Sequence, residues 1–474
     1  MEAGDAWVEA QFRGAALGDV RRRRRAILLA TRMLARPGAT VPQLGSTRYD
    51  VKASYALFAH PASTPDHLQA GHRAQVQTRL REGGATQLLV EDTTVLSWAG
   101  HLPIDGLGPI GSGGNGLQGF LLHSVLALRW AAAPGEQRPQ RPPVEILGLA
   151  DQQYHVRIPA PAEEASLPEG SLAFARQHRW RESALWQRST LHLGSPPGGV
   201  RWVRICDRGA DLYEFLEECH EAGHGYVVRA AQDRALATGG RLFERLREAP
   251  ACASLELELR ARPQHPARLA RLSVAILAVH LRSPRRPGQP PGSRGGLTCT
   301  ALRVWEKEPP SKGPALEWIL LTDRSVASAT GAIECVQQYA TRWVIEEFHK
   351  VLKSGLGAER LQLEQAERLF AAIALMSLVA LRLLSLKEWL RVDPDAPAVE
   401  AGLDPLEQRL LALQTKRSLA TVRDVALALG RLGGHLGRKG DGLPGWITLW
   451  RGMQHLQAMA LGAQLILQAR SFGE

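Results

Sequence analysis

Cysteine is scarce in this chain and has no pairing pattern. Cys206, Cys219, Cys252, Cys299 and Cys335 are scattered, odd in number and never spaced as CxxC. That excludes a disulfide-stapled secreted scaffold and the common zinc-site spacings, and it suits a reducing cytoplasm. Long apolar runs are missing as well. The longest, Leu369 to Leu381, is closed by Arg368 and Arg382, and it is shorter than the roughly 20 residues that cross a bilayer. It is expected as a buried helix, with no membrane partner. The opening MEAGDAWVEAQF lacks the basic, apolar and small-residue succession of a secretory signal, so a cytoplasmic location is expected. Acidic residues are in deficit, 47 against 58 lysines and arginines, and the net charge of +11 favours a polyanionic partner, nucleic acid first, over an acidic small molecule. What the chain has in quantity is apolar content, 45% of 474 residues, enough to fill more than one core.

Three styles of pattern succeed one another. From Trp7 to about Arg81 the sequence reads as a helical bundle, with Asp19 placed as an N-cap before the run Arg21 to Arg25 and the apolar ILLATRML. Between about Gln87 and Leu216, QLLVEDTTVLSW, FLLHSVLALRW, VEILGLA and VRWVRICD are short Val, Ile and Leu runs separated by turn residues, and LYEFLEECHEAG then reads as a helix before the strand GYVVRAA. Alternation of strand and helix indicates an α/β core. From about 239 to 325 strand follows strand in an antiparallel insertion, broken by the basic Pro/Gly loop Ser283 to Gly296. The rest is helical: Ala332 to Ser354, Glu364 to Leu390, and shorter helices beyond VDPDAPAVEAG. In the last of these, Trp446 and Trp450 stand four apart, as expected of an apolar stripe against a second subunit.

The sharpest local signal is YATRWVIEEFHKVLKS. Tyr339, Arg342, Glu346, Lys350 and Lys353 recur at steps of three and four, so a continuous helix would carry them on one face, with Ile345, Phe348 and Leu352 on another. A carboxylate flanked by cations and a phenol can hold a metal ion and grip the phosphates on which that ion acts. Two further acids sit where charge is costly: Asp92 within the strand run LLVEDTTVL, and Asp207 at the end of VRICD. Divalent cations compensate such carboxylates, and two on neighbouring strands with a third on a helix make the hard oxygen set that magnesium prefers.

With these residues in view, the chain resembles the insertion-sequence-four family of DDE transposases, whose Y-(2)-R-(3)-E-(6)-K signature is reproduced by Tyr339, Arg342, Glu346 and Lys353. AALGDVRR at 15 to 22, EDTT at 91 to 94, CDRGAD at 206 to 211, RWVIEEFHK at 342 to 350 and the glycine-rich stretch from 430 to 457 extend the resemblance along the chain. The resemblance implies an RNase H-like catalytic core in which Asp92, Asp207 and Glu346 bind two magnesium or manganese ions. It implies that Tyr339, Arg342 and Lys353 contact phosphates near the end of the mobile DNA, that Trp318 and Trp343 take part in a DNA hairpin step, and that the enzyme works as a homodimer on terminal inverted repeats and target DNA. Lys350, Arg21 and Arg22 join the expected DNA contacts. The expected layout is a helical DNA-binding domain over 1–80, a catalytic domain over 81–392 and a helical dimerisation domain over 393–474.

Other patterns carry less. Gly106, Gly108 and Gly111 spell GxGxxG after a strand, yet Pro109 lies inside and no amphipathic helix follows, so a glycine-rich hairpin is the better reading. Glu346 to His349 spells ExxH without the second copy that a di-iron bundle needs. Two alternatives to a transposase are a structure-selective nuclease on the same core, which 3′-end joining would distinguish, and a DNA-binding protein that has lost catalysis, against which the intact acids argue.

Overall fold

The computed structural model describes residues 4–82, 86–99, 103–111, 117–130, 144–159, 161–168, 171, 172, 175, 181–259, 268–285, 295–308, 314–438 and 443–471. Part of the glycine-rich stretch, 112–116, and most of the Pro/Gly loop, 286–294, lie outside them. In chain order the helices α1 (Gly4–Phe12), α2 (Val20–Ala35), α3 (Val41–Leu44), α4 (Arg48–Phe58) and α5 (Pro65–Arg81) precede the strands β1 (Thr86–Trp98), β2 (Gly108–Pro109), β3 (Gln118–Arg129) and β4 (Glu145–His155). Then come α6 (Ala184–Leu193), β5 (Arg201–Cys206), α7 (Tyr213–Glu221), β6 (Gly225–Arg229), α8 (Leu242–Glu248), β7 (Ala251–Leu259), β8 (Arg268–Leu281), β9 (Leu297–Glu306) and β10 (Glu317–Thr322). Helices close the chain: α9 (Ala329–Ala340), α10 (Trp343–Lys350), α11 (Ala366–Val392), α12 (Pro405–Thr415), α13 (Val422–Leu432) and α14 (Trp446–Ser471). The chain forms two compact units, one of Met1–Gln75, His101–Gly106 and Glu347–Glu474, the other of Val76–Gly100 and Leu107–Glu346.

The first unit is helical. Asp19 caps α2 by accepting from the Arg21 amide at 2.7 Å, and Ala26, Leu29, Ala30 and Met33 form its buried stripe. Asp50, in the first turn of α4, holds α2 in place by receiving Arg25 at 2.9 Å and Arg32 at 3.2 Å. Residues Ala366–Ser385 of α11 are apolar and long enough to cross a membrane by length and composition, but most of them are buried in the unit. Leu369, Ile373, Leu375 and Leu378 are fully covered. In the C-terminal helices, a Cβ at Gly433 would lie 1.8 Å from the Thr448 carbonyl oxygen and one at Gly452 equally close to that of Leu429, so only glycine lets α13 and α14 approach this nearly. Trp446 corrects an expectation: it is buried within its own chain, over Gly355, where a Cβ would come 2.7 Å from the indole. Among the described residues, the exposed large apolar side chains of α14 are instead Leu461, Leu465, Ile466 and Leu467.

The second unit is built on a mixed ten-stranded sheet. Along it run β3, β1, β5, β6, β10, β9, β8 and β7, with β4 on the other side of β3 and the short β2 against its start. β1 is antiparallel to β3 but parallel to β5, and β5 is parallel to β6. Central strands covered on both faces need near-continuous apolar runs, which LLV in β1 and FLL and VLAL in β3 supply. One face is covered by α6 and α7 through Leu185, Trp186, Phe215 and Leu216.

Candidate active site

Position along two parallel strands brings the first two acids together. Glu91 is registered against Cys206, the last residue of β5, so Asp92 and Asp207 come next on neighbouring strands. Asp207 leaves the sheet as the cap of a tight 3₁₀ turn, Arg208–Ala210, accepting from the Gly209 amide at 2.7 Å. A Cβ on Gly209 would meet Trp186 at 2.9 Å and the Asp207 carboxylate at 3.0 Å, which explains the glycine in CDRGAD. Asp211, the last residue of that motif, is buried and takes the amides of Ala231 and Gln232, both at 2.7 Å, together with Arg234. It secures the turn.

Asp92 is largely buried. Burial and the negative charges of Asp207 and Glu346 push its pKa up to about 6, while Arg342 and the Thr93 amide, at 2.8 Å, pull the other way. Arg342 reaches Asp92 at 3.7 Å with one nitrogen and pairs with Glu346 through another, so a single guanidinium links two of the three acids. Burial opposes its charge, but Tyr339, Glu346 and Asp92 outweigh burial and keep it protonated. Tyr339 lies 6.0 Å below that guanidinium and is buried, its ring edge-to-face with Trp318 at 5.1 Å.

The signature segment is not one helix. The Thr341 and Arg342 amides donate three residues back, to the carbonyls of Gln338 at 3.1 Å and Tyr339 at 3.0 Å, and the Thr341 hydroxyl also donates to the Gln338 carbonyl, at 2.7 Å. α9 therefore ends before Thr341, α10 starts at Trp343, and Val351–Gly355 winds as a π-turn. The expected stripe is interrupted, yet the tightened turn still brings Tyr339, Arg342 and Glu346 together. Glu346 is half-exposed, Lys350 is exposed one turn further along α10, and Lys353 pairs with Glu359 at 3.5 Å. The neighbouring Glu347 pairs with Lys387. Trp318 is buried and Trp343 half-buried.

The two N-terminal arginines differ. Arg21 is exposed, whereas Arg22 donates to the Leu17 carbonyl at 2.7 Å and meets His60 at 3.0 Å, so its side chain serves the fold. Among the described residues no group of three or more Asp, Glu, His or Cys side chains is arranged to hold a metal ion. The donor chemistry nevertheless fits a hard cation: the three acids are carboxylates, and Asp92 is raised by burial and by the negative charges of Asp207 and Glu346, against the pull of Arg342.

Sequence reasoning missed the layer on the opposite face of β1. Glu91 is fully buried and receives Arg204 through Nε at 3.0 Å and Nη2 at 2.5 Å, with the Ser189 hydroxyl at 2.9 Å and His123 at 3.3 Å around it. Burial opposes its ionisation, but Arg204 and His123 prevail and hold its pKa down at about 2. The signal was present, since an arginine inside the buried run VRWVRICD demands a carboxylate partner.

Comparison with known families finds three matches in this order along the chain. A transposase DNA-binding family model matches residues 4–63, a transposase DDE domain matches 203–382, and a Tn5 transposase dimerisation domain matches 381–474. Asp207 and Glu346 fall inside the DDE match, and Asp92 precedes it. DNA binding, metal-dependent DNA cleavage and transfer, and homodimer formation thus each have a matched region, and the chain belongs to the Tn5-like DDE transposases.

Proposed function

We propose that this is a cut-and-paste transposase that binds the terminal inverted repeats of its own element and acts as a homodimer in the DNA complex. Its catalytic domain, residues 81–392, would be an RNase H-like core carrying the β7 to β10 insertion, with DNA binding in 1–80 and dimerisation in 393–474. The order β4, β3, β1, β5, β6, with β1, β5 and β6 parallel to one another and β3 antiparallel to its neighbours β1 and β4, supports that core. The observation that carries the reading is that Asp92, in the middle of β1, and Asp207, just past the end of β5, follow the last pair of the parallel register, with Glu346 tied to Asp92 through Arg342.

Asp92, Asp207 and Glu346 would hold two magnesium or manganese ions. When bound, those ions supply the positive charge that activates a water or a 3′-hydroxyl and stabilises the leaving oxygen. Arg342 can then turn from the carboxylates to a phosphate, and Tyr339, Lys350 and Lys353 add donors along the backbone of the mobile end. Trp343 is the more accessible of the two tryptophans proposed for a hairpin step; Trp318 needs its contact with Tyr339 to open before it can stack on a base. Arg21 is the better-placed phosphate contact of α2. A cytoplasmic location follows from this role.

The test uses labelled duplexes from the DNA flanking the gene, the full-length protein and magnesium. Nicking at the repeat boundary followed by joining of the freed 3′ end supports the transposase. Cutting without joining would favour a structure-selective nuclease, and binding without cutting a protein that has lost catalysis.

A further inference from the structure

The two aspartates stand at the junction of two surfaces. One is the cluster of Tyr339, Arg342 and Glu346. The other is an open cleft of about 860 Å³, which has Asp92 and Asp207 in its lining and none of those three residues. Its walls differ in chemistry. Ile158, 76% exposed, lies beside Pro159 and offers an apolar rest. Arg157 and Arg181 line the cleft from the polar side. Arg157 is already neutralised by Glu182 at 2.5 Å, whereas Arg181 is exposed and has no ion-pair partner among the described residues. Ser183 stands at the start of α6 without making a side-chain capping bond. The Nε1 of Trp186, a residue only 7% exposed and part of the same lining, has no hydrogen-bond partner among the described residues.

An uncommitted cation, a spare hydroxyl, an orphan indole donor and an exposed apolar shelf, continuous with two carboxylates, match the alternation of phosphate and sugar along one nucleic-acid strand. We propose that this cleft seats the DNA strand on the far side of the scissile phosphate from the mobile end. Arg181 and Ser183 hold a phosphate of the flanking strand, and its sugar rests on Ile158 and Pro159. The inference builds on the assignment of Asp92 and Asp207 to the chemistry, and it names a substrate segment for surfaces outside the signature residues.

The experiment compares two labelled duplexes with the full-length protein in magnesium: one carrying the terminal repeat with flanking DNA, the other ending flush at the cleavage point. Arg181→Glu should cut the flanked duplex about tenfold or more slowly and reduce the salt slope of binding to it by about one unit. Binding to the flush duplex should match the parent, and Arg181→Lys should recover most of the loss. Ile158→Asp, at an exposed position, is the second variant should Arg181→Glu melt early, and the same selective defect is expected of it. Equal losses on both duplexes, or none on either, overturn the proposal. Asp92→Asn run alongside separates the two readings. If it cuts like the parent, the assignment of the aspartates falls and the cleft with it. If it is inactive while the cleft variants do not distinguish flanked from flush DNA, the cleft alone falls.

Discussion

Glu91 and Asp92 are neighbours on β1 and face opposite sides of the same sheet. Both are substantially buried, and each has an arginine. Glu91 is enclosed by Arg204, Ser189 and His123 and is held at about 2, whereas Asp92, sharing Arg342 with Glu346 and facing Asp207, is raised to about 6. The difference lies in the balance of charge rather than in burial. On one face the fold supplies a complete counter-ion; on the other it assembles more negative charge than it neutralises. A carboxylate of the first kind is structural, and one of the second kind is available to an external cation.

The largest expected effect comes from removing charge on the uncompensated face. Asp92→Asn and Glu346→Gln keep shape while deleting a ligand, so cleavage of a terminal-repeat duplex in magnesium should fall by orders of magnitude while gel-shift binding survives. Parent-like cutting by either variant would break the comparison. On the compensated face the effect should be on stability. Arg204→Met strands the Glu91 carboxylate and should cost about 3–5 kcal/mol, read from urea unfolding, whereas Arg204→Met combined with Glu91→Leu should cost less than the single change. A double mutant less stable than the single one would show that the pair does more than satisfy itself.

Arg342 sharpens the contrast. Because its guanidinium links Asp92 to Glu346, Arg342→Gln should raise manganese affinity in the absence of DNA severalfold, measured by the loss of the free-ion spin-resonance signal, and should lower the salt slope of DNA binding by about one unit. Weaker manganese binding would mean that Arg342 organises the carboxylates rather than competing for them. The smallest effect belongs to Glu347, the chemical twin next to Glu346. Its pairing with Lys387 predicts that Glu347→Gln costs about 1–3 kcal/mol of stability but leaves cleavage within a few-fold of the parent. A loss as large as that of Glu346→Gln would show that the wrong acid has been assigned.

Much of this was legible in the residues. Apolar runs marked β1, β3, β5 and the four strands from Ala251 to Thr322, Asp19 marked the start of α2, and the spacing from Tyr339 to Lys353 picked out the signature residues. The same spacing misled on local shape, because helical periodicity cannot register one turn tightened by the Thr341 hydroxyl. Trp446 misled in another way. An apolar stripe shows that a face is covered, not by what, and here Gly355 of the same chain covers it.

The sequence by itself determined where most of the strands and long helices fall and which residues bring carboxylate, guanidinium or phenol to the chemistry, because periodicity and side-chain type are local properties. Tertiary structure decided the rest. Parallel pairing of β1 with β5 puts Asp92 beside Asp207, and the fold delivers Arg204 to Glu91 and Arg342 to Asp92. Each of these contacts joins segments far apart in the chain. Whether a buried carboxylate becomes a structural anion or a candidate metal ligand depends on the counter-charge that arrives from elsewhere, and strand order and register settle that.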